Sequence, residues 1–434
     1  MSMFGSANSL AFLRSLLFAT ALAFPVACAR AHGAGPSEQP AAGRPATPIA
    51  GYADCEIVES APVETSLDHP WIRNAPDVWP EMIRGANRTL EFAEFYASNE
   101  PGSRLEPVVE AIEAAAGRGV AVRILGEKGF YKTYPETYDR LAKRKNVEVR
   151  FLDLKAPGRP GGVLHAKYFI VDGEHTFLGS QNFDWRALEH IQEIGVRLAG
   201  EDIASFYREV FEADWALATA DSGGAVAARE GAAQALPIVR VEAPGDTLRL
   251  WPTMSPAGWI PCEACWDEGH LVGIIDGARE DVMVQLLTYR PVSGREYYAA
   301  LESALRRAAA RGVRVRLLLS DWCKRPHTIP YLKSLVLVPN VEVKLVTIPE
   351  WSGGFIPFAR VIHAKYLVAD GRRAWIGTSN WEKDYFYESR NVGLAFESPR
   401  LGAMLTRFFE ENWASEYAYP VEPSAEYEPP RIGE

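Results

Sequence analysis

An internal duplication is the feature of this chain that most constrains its fold. The segment RGVAVR at residues 118–123 recurs as RGVRVR at residues 311–316, an offset of 193 residues. The segment HAKY at residues 165–168 recurs at residues 363–366, where the offset has grown to 198 residues. Repetition of this kind indicates two copies of one structural unit. We therefore expect two similar lobes, with extra residues in the second copy before its histidine.

Each copy shows the same order of short apolar strands and Ala-rich helices. In both copies Arg-Gly-Val follows a helix, where it ends that helix and begins the next strand. The predicted strands lie at residues 90–96, 120–125, 147–152, 168–171 and 176–178, and again at 282–289, 313–319, 341–346, 366–369 and 374–376. The alternation predicts an α/β fold with helices on both faces of each sheet. We expect the two lobes to be related by a pseudo-twofold axis.

A polar motif with identical spacing follows in each copy. The first copy reads His165-x-Lys167-x4-Asp172-x6-Gly179-Ser180-x-Asn182. The second copy reads His363-x-Lys365-x4-Asp370-x6-Gly377-Thr378-Ser379-Asn380. Residues two apart on a strand point to the same side, so each histidine shares a face with its lysine. Two copies at equal spacing indicate a functional site rather than a chance pattern.

These residue types suit transfer at a phosphodiester. A neutral imidazole can attack phosphorus and form a phosphohistidine, while a protonated imidazole donates to the leaving oxygen. Lysine and asparagine side chains can neutralise the nonbridging oxygens as charge builds. No group of residues has the spacing of metal ligands, so the sequence predicts neither a metal nor a cofactor.

The doubled motif resembles the signature of the phospholipase D superfamily, and the repeats span about residues 80–415. The resemblance implies two α/β/α lobes with the active site at their interface and one catalytic histidine from each lobe. It assigns nucleophile and general acid/base to His165 and His363, and we take His165 as the nucleophile. Asp172 and Asp370 complete the catalytic motif, with supporting roles implied. The resemblance makes the following residues ligands of the phosphate: Lys167, Lys365, Asn182 and Asn380, with the hydroxyls of Ser180 and Ser379 beside them.

The resemblance also implies a carboxylate that orients the nucleophilic histidine. Glu193 follows His165 by 28 residues, where the family commonly places this group. The same offset from His363 leads to Asn391, and the nearby Glu388 is the alternative orienting group in the second copy. The carboxylate at Glu193 is the reason for taking His165 as the nucleophile.

Longer segments resemble one branch of the superfamily. GSQNFDWR at residues 179–186 and IPFARVIH at residues 356–363 resemble the two sites of the animal lysosomal phospholipase D-like exonucleases, to which poxvirus envelope phospholipases are related. The resemblance implies trimming of single-stranded DNA or RNA from the 5′ end. The alternative is a phospholipase D or transphosphatidylase acting on phospholipid head groups.

Features outside the motif bear on the choice between these partners. A formal net charge of −10 provides no global positive field for long nucleic acid, so a local pocket must hold any polyanion. Aromatic residues just past each motif are candidates for stacking on an unpaired base: Phe183, Trp185, Trp381, Tyr385 and Phe386. The loop Phe355-Ile356-Pro357-Phe358 is a candidate for peripheral membrane contact. A scaffold protein on an inactive enzyme fold is a third hypothesis, which the intact histidines and lysines argue against. No oligomeric state is predicted.

The N-terminal segment predicts export. Residues 1–31 have the apolar run and small residues of a signal peptide, and residues 32–50 are rich in Ala, Gly and Pro, as expected of a disordered spacer. The mature protein is then periplasmic or secreted, with a lipid anchor on Cys28 as the alternative to its removal. The first lobe is expected at residues 51–235 and the second at 236–434.

Four cysteines would remain after cleavage, namely Cys55, Cys262, Cys265 and Cys323. An oxidising compartment permits two disulfides among them, with three pairings. We interpret the CxxC at residues 262–265 as structural, since no second pair with zinc-ligand spacing accompanies it.

Overall fold

The computed structural model describes residues 54–219, 237–243, 246–293 and 296–433. The predicted signal peptide, the spacer and Cys28 lie outside the described residues. The two copies of the repeat form two lobes that pack into one compact unit. Among the described residues, no helix has the length and apolar character needed to cross a membrane.

The first lobe carries a mixed sheet with helices on both faces. Its strands are β1 (Cys55–Ser60), β2 (Arg73–Asn74), β3 (Thr89–Glu94), β4 (Ala97–Ser98), β5 (Ala121–Glu127), β6 (Val147–Leu152), β7 (Lys167–Val171), β8 (His175–Gly179), β9 (Phe183–Asp184) and β10 (Ile191–Ala199). Its helices are α1 (Ala75–Arg84), α2 (Glu106–Gly117), α3 (Lys128–Tyr131), α4 (Glu136–Ala142), α5 (Trp185–Glu189) and α6 (Glu201–Leu217).

The second lobe repeats this arrangement. Its strands are β11 (Ile238–Ala243), β12 (Asp246–Ser255), β13 (Asp281–Leu286), β14 (Tyr289–Arg290), β15 (Val292–Ser293), β16 (Glu296–Tyr297), β17 (Arg314–Ser320), β18 (Val341–Val346), β19 (Val361–Ile362), β20 (Tyr366–Ala369), β21 (Arg373–Gly377), β22 (Trp381–Glu382), β23 (Asn391–Glu397) and β24 (Ala418–Pro420). Its α-helices are α7 (Asp267–Gly277), α8 (Ala300–Ala310), α9 (Ile329–Leu335), α10 (Lys383–Tyr387) and α11 (Pro399–Trp413), with 3-10 turns at Glu263–Cys265 and Asp321–Lys324.

The strand order of the two sheets confirms the duplication. The first sheet runs β1-β10-β8-β7-β3-β5-β6 and the second runs β12-β23-β21-β20-β13-β17-β18, which is the same order in corresponding strands. In each sheet three neighbouring strands are parallel, namely β3, β5 and β6 in the first and β13, β17 and β18 in the second. The strands that follow the motif pair antiparallel. The α/β fold with two similar lobes is therefore confirmed.

The cores show why helices cover both faces of each sheet. One apolar cluster packs α1 and α2 on the outer face of the first sheet, and another packs α7 and α8 on the outer face of the second. A third cluster contains residues from the inner faces of both sheets together with α6 and α11. The layers are therefore helix, sheet, helix pair, sheet and helix, and the central helix pair belongs to both lobes.

The lobes also exchange backbone hydrogen bonds next to the two motif histidines. Gln192 of β10 lies beside Ile362 of β19, and Arg390 forms a parallel bridge with Leu164. Because 390 and 362 are each 198 residues beyond 192 and 164, the two contacts are equivalent under the pseudo-twofold axis. Each lobe therefore pairs with a backbone segment of the other lobe directly before the motif histidine of that segment.

The side chain of the residue that makes each of these contacts belongs to a buried polar pair, and only one of the two pairs is charged. Arg390 forms a bidentate ion pair with Asp214 of α6, at 2.8 and 3.0 Å, and both side chains are buried. The equivalent residues are Gln192 and Asn412 of α11, joined by a hydrogen bond of 2.7 Å. The pseudo-symmetry thus holds for shape and fails for charge.

Among the described cysteines, Cys262 and Cys265 form a disulfide. The thiol of Cys323 lies near the carbonyl of Leu287, and burial raises its pKa to about 12. Within the described residues the CxxC motif therefore pairs with itself.

Truncation of the charged pair should cost more stability than truncation of the neutral one. Asp214→Ala leaves the Arg390 guanidinium buried without its partner, so we expect the free energy of unfolding to fall by about 3–5 kcal/mol. Asn412→Ala at the equivalent position should cost about 1–3 kcal/mol, because only a neutral amide is left unpaired. Denaturant unfolding of both variants measures the difference. Equal losses would contradict a lobe contact stabilised by charge.

Candidate active site

His165 lies in the loop before β7 and is held by the second lobe. Its backbone N–H donates to the carbonyl of Arg390 at 2.9 Å, and its ring Nδ1 lies 3.0 Å from Oδ1 of Asn391. The amide of Asn391 donates from Nδ2 to the carbonyls of Tyr385 and Ser389, which turns Oδ1 toward the imidazole. Nδ1 of His165 therefore carries the hydrogen, and Nε2 keeps its lone pair.

His363 lies in the equivalent position and is held by the first lobe. Its backbone N–H donates to the carbonyl of Gln192 at 2.8 Å. Its Nδ1 lies 2.7 and 2.9 Å from the two carboxylate oxygens of Glu193, which is fully buried. A carboxylate in this position stabilises an imidazolium on His363.

The orienting residues are therefore exchanged between the lobes, which corrects the sequence interpretation. Glu193 contacts His363 rather than His165, because the cross-lobe pairing of β10 with β19 carries Glu193 to the other histidine. Asn391 contacts His165 for the same reason. Glu388 is exposed and its backbone carbonyl accepts from Gly162, so it does not orient a histidine.

The two lysines are buried beside the histidines. Nζ of Lys167 donates to the carbonyl of His165 at 2.6 Å, and Nζ of Lys365 donates to the carbonyl of His363 at 2.7 Å. Each ammonium uses one hydrogen in this contact and keeps the others for a ligand. The doubled spacing of the motif thus produces a doubled geometry.

Burial dominates the electrostatics of the site. It lowers the pKa of both histidines well below the usual range, and the nearby charges of Lys167 and Lys365 lower both further. Burial lowers the pKa of Lys365 to about 7, although the negative charge of Glu193 opposes the shift. Burial raises the pKa of Glu193 to about 8. The pair of His363 and Glu193 therefore keeps its shared proton at neutral pH, while His165 is neutral.

The predicted phosphate ligands divide into two groups. Oδ1 of Asn182 and Oδ1 of Asn380 are buried without a hydrogen-bond partner within the described residues. Nδ2 of Asn182 donates one hydrogen to the hydroxyl of Tyr96 at 3.4 Å, and a second hydrogen remains that can donate to a phosphate oxygen. The hydroxyl of Ser180 instead donates to the carbonyl of Ile194, and Ser379 donates to Asp267. Both hydroxyls are engaged within the fold, and the structural counterpart of Ser180 is Thr378 rather than Ser379.

Asp172 and Asp370 support the motif strands rather than reach the cleft. The carboxylate of Asp172 accepts from the backbone N–H groups of Asn87, Arg88 and Thr89 just before β3. Asp370 accepts from the corresponding N–H groups of residues 279–281 before β13. Both residues are in the left-handed region, with φ of 55° and 52°, which Asp tolerates. Their inclusion among the catalytic residues is wrong in geometry, and the supporting role is the one that the contacts favour.

The sequence interpretation missed two aromatic residues beside His165. The ring of Phe95 lies 5.0 Å from the imidazole and 5.1 Å from Nζ of Lys167. Phe130 lies 4.3 Å from Phe95, and both rings are half-buried. Tyr385 closes the other side of the imidazole at 4.8 Å. We call the surface formed by Phe95, Phe130 and Tyr385 the aromatic wall.

The aromatic residues that the sequence singled out have mixed positions. Phe183, Trp381 and Phe386 are buried in the two outer cores. Trp185 packs edge-on against His190 at 5.4 Å, so only Tyr385 of the five contacts a motif histidine. The repeat could have indicated Phe95. This residue directly precedes Tyr96, which corresponds to Tyr289 in the second copy.

The candidate membrane loop presents little apolar surface. Ile356 is buried, the Arg431 guanidinium covers the ring of Phe355 at 3.8 Å, and Phe358 is 49% exposed. The backbone N–H of Phe358 donates to the carbonyl of Ile432, which ties the loop to the C-terminal segment. One exposed ring in a tethered loop provides only weak support for a membrane contact.

Substitution of the motif aspartates should separate stability from catalysis. Asp172→Asn keeps the left-handed backbone conformation but loses the charge that accepts three N–H groups, so we expect unfolding to become easier by about 1–3 kcal/mol. Turnover of bis(p-nitrophenyl) phosphate, measured well below the melting temperature, should stay unchanged. His165→Asn is the control and should lose turnover while keeping stability. A large loss of turnover in stably folded Asp172→Asn would restore the catalytic assignment.

Comparison with protein families agrees with this geometry. The family model described as cardiolipin synthase, PLD-like domain, matches residues 80–215 and again 271–413. The two matched regions cover both histidines and more than half of the chain, so membership in this family is established.

Individual relatives match along most of their length. Phospholipase D Z of Dictyostelium discoideum is 28% identical over 387 residues, covering 84% of this chain and 90% of that protein. The 5′-3′ exonuclease PLD3 of Rattus norvegicus is 30% identical over 425 residues, covering 87% and 83%. The 5′-3′ exonuclease PLD4 of Mus musculus is 29% identical over 402 residues, covering 84% and 79%.

A solved structure shows the same fold at low identity. The phosphatidylserine synthase of Haemophilus influenzae Rd KW20 superimposes with a TM-score of 0.57 at 12% identity, covering 81% of this chain and 86% of that one. The duplicated fold, the paired histidines and the matched family model together show that this chain belongs to the phospholipase D superfamily, within its PLD3-like branch, and is an enzyme that acts on phosphodiesters.

Proposed function

We propose that this enzyme is a metal-independent phosphodiesterase that forms a phosphohistidine and acts on the 5′ ends of single-stranded nucleic acid. The observation that carries the mechanism is the unequal support of the two histidines. Asn391 fixes the tautomer of the neutral His165, and Glu193 shares a proton with His363. The observation that carries the substrate is the aromatic wall beside His165. Export from the cytoplasm remains part of the same proposal.

His165 is the nucleophile in this scheme. Its Nε2 lone pair attacks phosphorus and forms the P–N bond, while the bond from phosphorus to the leaving oxygen breaks. The neutral partner Asn391 favours this role, because it fixes the tautomer without stabilising a charged ring. The sequence interpretation also chose His165, but its reason, a contact with Glu193, is replaced by this one.

His363 is the general acid and then the general base. It gives its proton to the leaving oxygen in the first step and takes a proton from the attacking water in the second, when the P–N bond breaks. Glu193 stabilises the imidazolium before the first step and again after the second. Lys167, Lys365 and the two amides of Asn182 and Asn380 hold the nonbridging oxygens throughout.

The aromatic wall supports a nucleic-acid substrate. Stacking on aromatic rings binds unpaired bases in a sequence-tolerant way, at about 1–3 kcal/mol per base. The relatives PLD3 and PLD4 carry the name 5′-3′ exonuclease, which also favours this substrate.

Phospholipid head-group transfer is the second candidate. The relative from Dictyostelium discoideum, matched over 90% of its length, is named a phospholipase D, and the same chemistry applies to a lipid phosphodiester. The tethered loop at residues 355–358 does not favour it. A substrate comparison therefore decides between the two candidates.

A substrate comparison with the mature chain, in EDTA at acidic and neutral pH, tests the substrate. We expect stepwise shortening of a 5′-hydroxyl single-stranded DNA and no head-group release from phosphatidylglycerol vesicles. His165→Asn and His363→Asn are the controls, and each should abolish the shortening. Head-group release with unchanged DNA would overturn the nucleic-acid proposal in favour of the lipid enzyme.

A burst experiment tests the roles of the histidines. Bis(p-nitrophenyl) phosphate has a leaving group that needs no proton, so His363→Asn should still release one equivalent of p-nitrophenolate per enzyme. It should then stall with a p-nitrophenyl phosphoryl group on His165. His165→Asn should give no burst. A burst from His165→Asn together with silence from His363→Asn would reverse the two roles.

The pH dependence tests Glu193. Because the pair of His363 and Glu193 keeps its proton up to about pH 8, the kcat/KM of the wild type on oligonucleotides should fall above that pH. Glu193→Gln removes the carboxylate that stabilises the imidazolium, so this fall should move to lower pH and kcat should drop by about 10²-fold or more. Asn391→Gln, which keeps a neutral amide at His165, is the comparison variant. An unmoved profile in Glu193→Gln would argue against His363 as the acid.

A further inference from the structure

A second buried carboxyl group lies beside the site, and the chemistry above does not use it. Glu94 is the last residue of β3 and pairs directly with Lys167, the first residue of the antiparallel strand β7. Residues opposite each other in such a pair project to the same face, with Cβ atoms about 4.5–5.5 Å apart. Glu94 is 3% exposed and Lys167 is 2% exposed. A carboxyl and an ammonium are thus neighbours in a dry environment.

The surroundings of Glu94 give its carboxyl few partners. Within the described residues, Oε2 of Glu94 and the hydroxyl of Tyr138 are both buried without a hydrogen-bond partner. Tyr138 lies over Gly126, which is next to Glu94 on β5, and a Cβ at Gly126 would lie only 2.6 Å from the Tyr138 oxygen. A cavity of about 10 Å³ lies between Glu94, Tyr138 and apolar side chains such as Phe92.

The second lobe has no such carboxyl. Continuation of the β13–β20 register places Leu286 opposite Lys365, in the position of Glu94. The negative charge near Lys365 comes instead from Glu193. A leucine meets the packing requirement of this position, so a carboxyl in the first lobe needs another reason, since burial of an acid is costly.

Charge balance supplies that reason. The groups that act on Lys167 are Lys365, Glu94 and Glu193, and those around Glu94 are Lys167 and Tyr138, with Glu127 beyond the tyrosine. Burial and the charge of Lys365 both lower the pKa of Lys167, and the charge of Glu94 raises it. Burial raises the pKa of Glu94, which Lys167 opposes. Each group thus favours the charged form of the other, in opposition to burial.

We propose that Glu94 is a positioning residue that keeps Lys167 in its ammonium form in the empty site and takes up a proton when the phosphate anion arrives. The proposal rests on the phosphodiesterase function above. In the empty site the Glu94 carboxylate balances the Lys167 ammonium. When a phosphate anion binds to Lys167, the negative charge of the anion balances the ammonium in place of the Glu94 carboxylate. Glu94 then takes one proton from solvent. Release of the product reverses the uptake.

The first test is the pH profile of kcat/KM on bis(p-nitrophenyl) phosphate. Glu94→Gln leaves Lys167 without its balancing charge, so we expect the alkaline limb to move to lower pH by roughly one unit. In a Lys167→Arg background, where a guanidinium does not titrate, the same substitution should move nothing. Glu91→Gln, a buried acid on the same strand paired with Arg123, is the matched control and should leave the limb unmoved. If Glu94→Gln is stably folded and its kcat/KM falls at the same alkaline pH as that of the wild type, the proposal is overturned.

The second test needs no turnover. Calorimetry of inorganic phosphate binding, in two buffers of different ionisation enthalpy, counts the protons taken up. Beyond the protonation change of phosphate itself, the wild type should take up about one proton more than Glu94→Gln near neutral pH. Equal uptake would overturn the proposal. If the wild type cleaves no phosphodiester, the proposed function fails and this measurement still decides the role of Glu94.

Discussion

The site depends on one reciprocal exchange of backbone hydrogen bonds between the lobes. The N–H of His165 binds the carbonyl of Arg390, and the N–H of His363 binds the carbonyl of Gln192. Because each histidine is fixed by the other lobe, neither lobe contains a complete site. The shared helix layer of α6 and α11 and the Asp214–Arg390 ion pair hold this contact in place. The positions of the imidazoles, the lysines and the orienting side chains all follow from it.

The pseudo-twofold relation is kept by the backbone and broken by charge at three places. Glu193 corresponds to Asn391, Gln192 to Arg390, and Asn412 to Asp214, and in each pair one member is neutral and the other charged. Glu94 of the first lobe, which corresponds to Leu286 of the second, adds a fourth difference. Two histidines in nearly identical folds thus lie in different electrostatic environments, which is what distinct catalytic roles require.

Much of the fold was predictable, because the duplication let each copy check the other. The strands β6, β18 and β20 begin and end at the predicted residues, and most of the others differ by one to three residues. The strand β12 and the strands β10 and β23 are missing from the predicted strands, since they lie outside the repeated segments that were compared. The two histidine-lysine pairs were also predictable, because a period of two on a strand places both side chains on one face.

The errors arose where contacts cross between lobes or where residue type was taken for position. Glu193 was assigned by counting residues within one copy, and no count within a copy reveals that β10 pairs with β19. Ser379 was chosen for its hydroxyl, although Thr378 is the residue that aligns with Ser180. Phe95 lies far before the motif in the chain and reaches His165 only because β3 and β7 are neighbours in the sheet.

The exchange of orienting residues has a consequence for how such an enzyme can arise. In a dimer of two identical half-length chains, symmetry would place the same residue beside both histidines, so both would carry Glu or both would carry Asn. Joining the halves in one chain removes that restriction, because each position then mutates alone. Glu193 beside one histidine and Asn391 beside the other are a difference that only two covalently joined halves can have. Fusion of the halves thus permits different environments for the two histidines, which a symmetric assembly of identical halves cannot have.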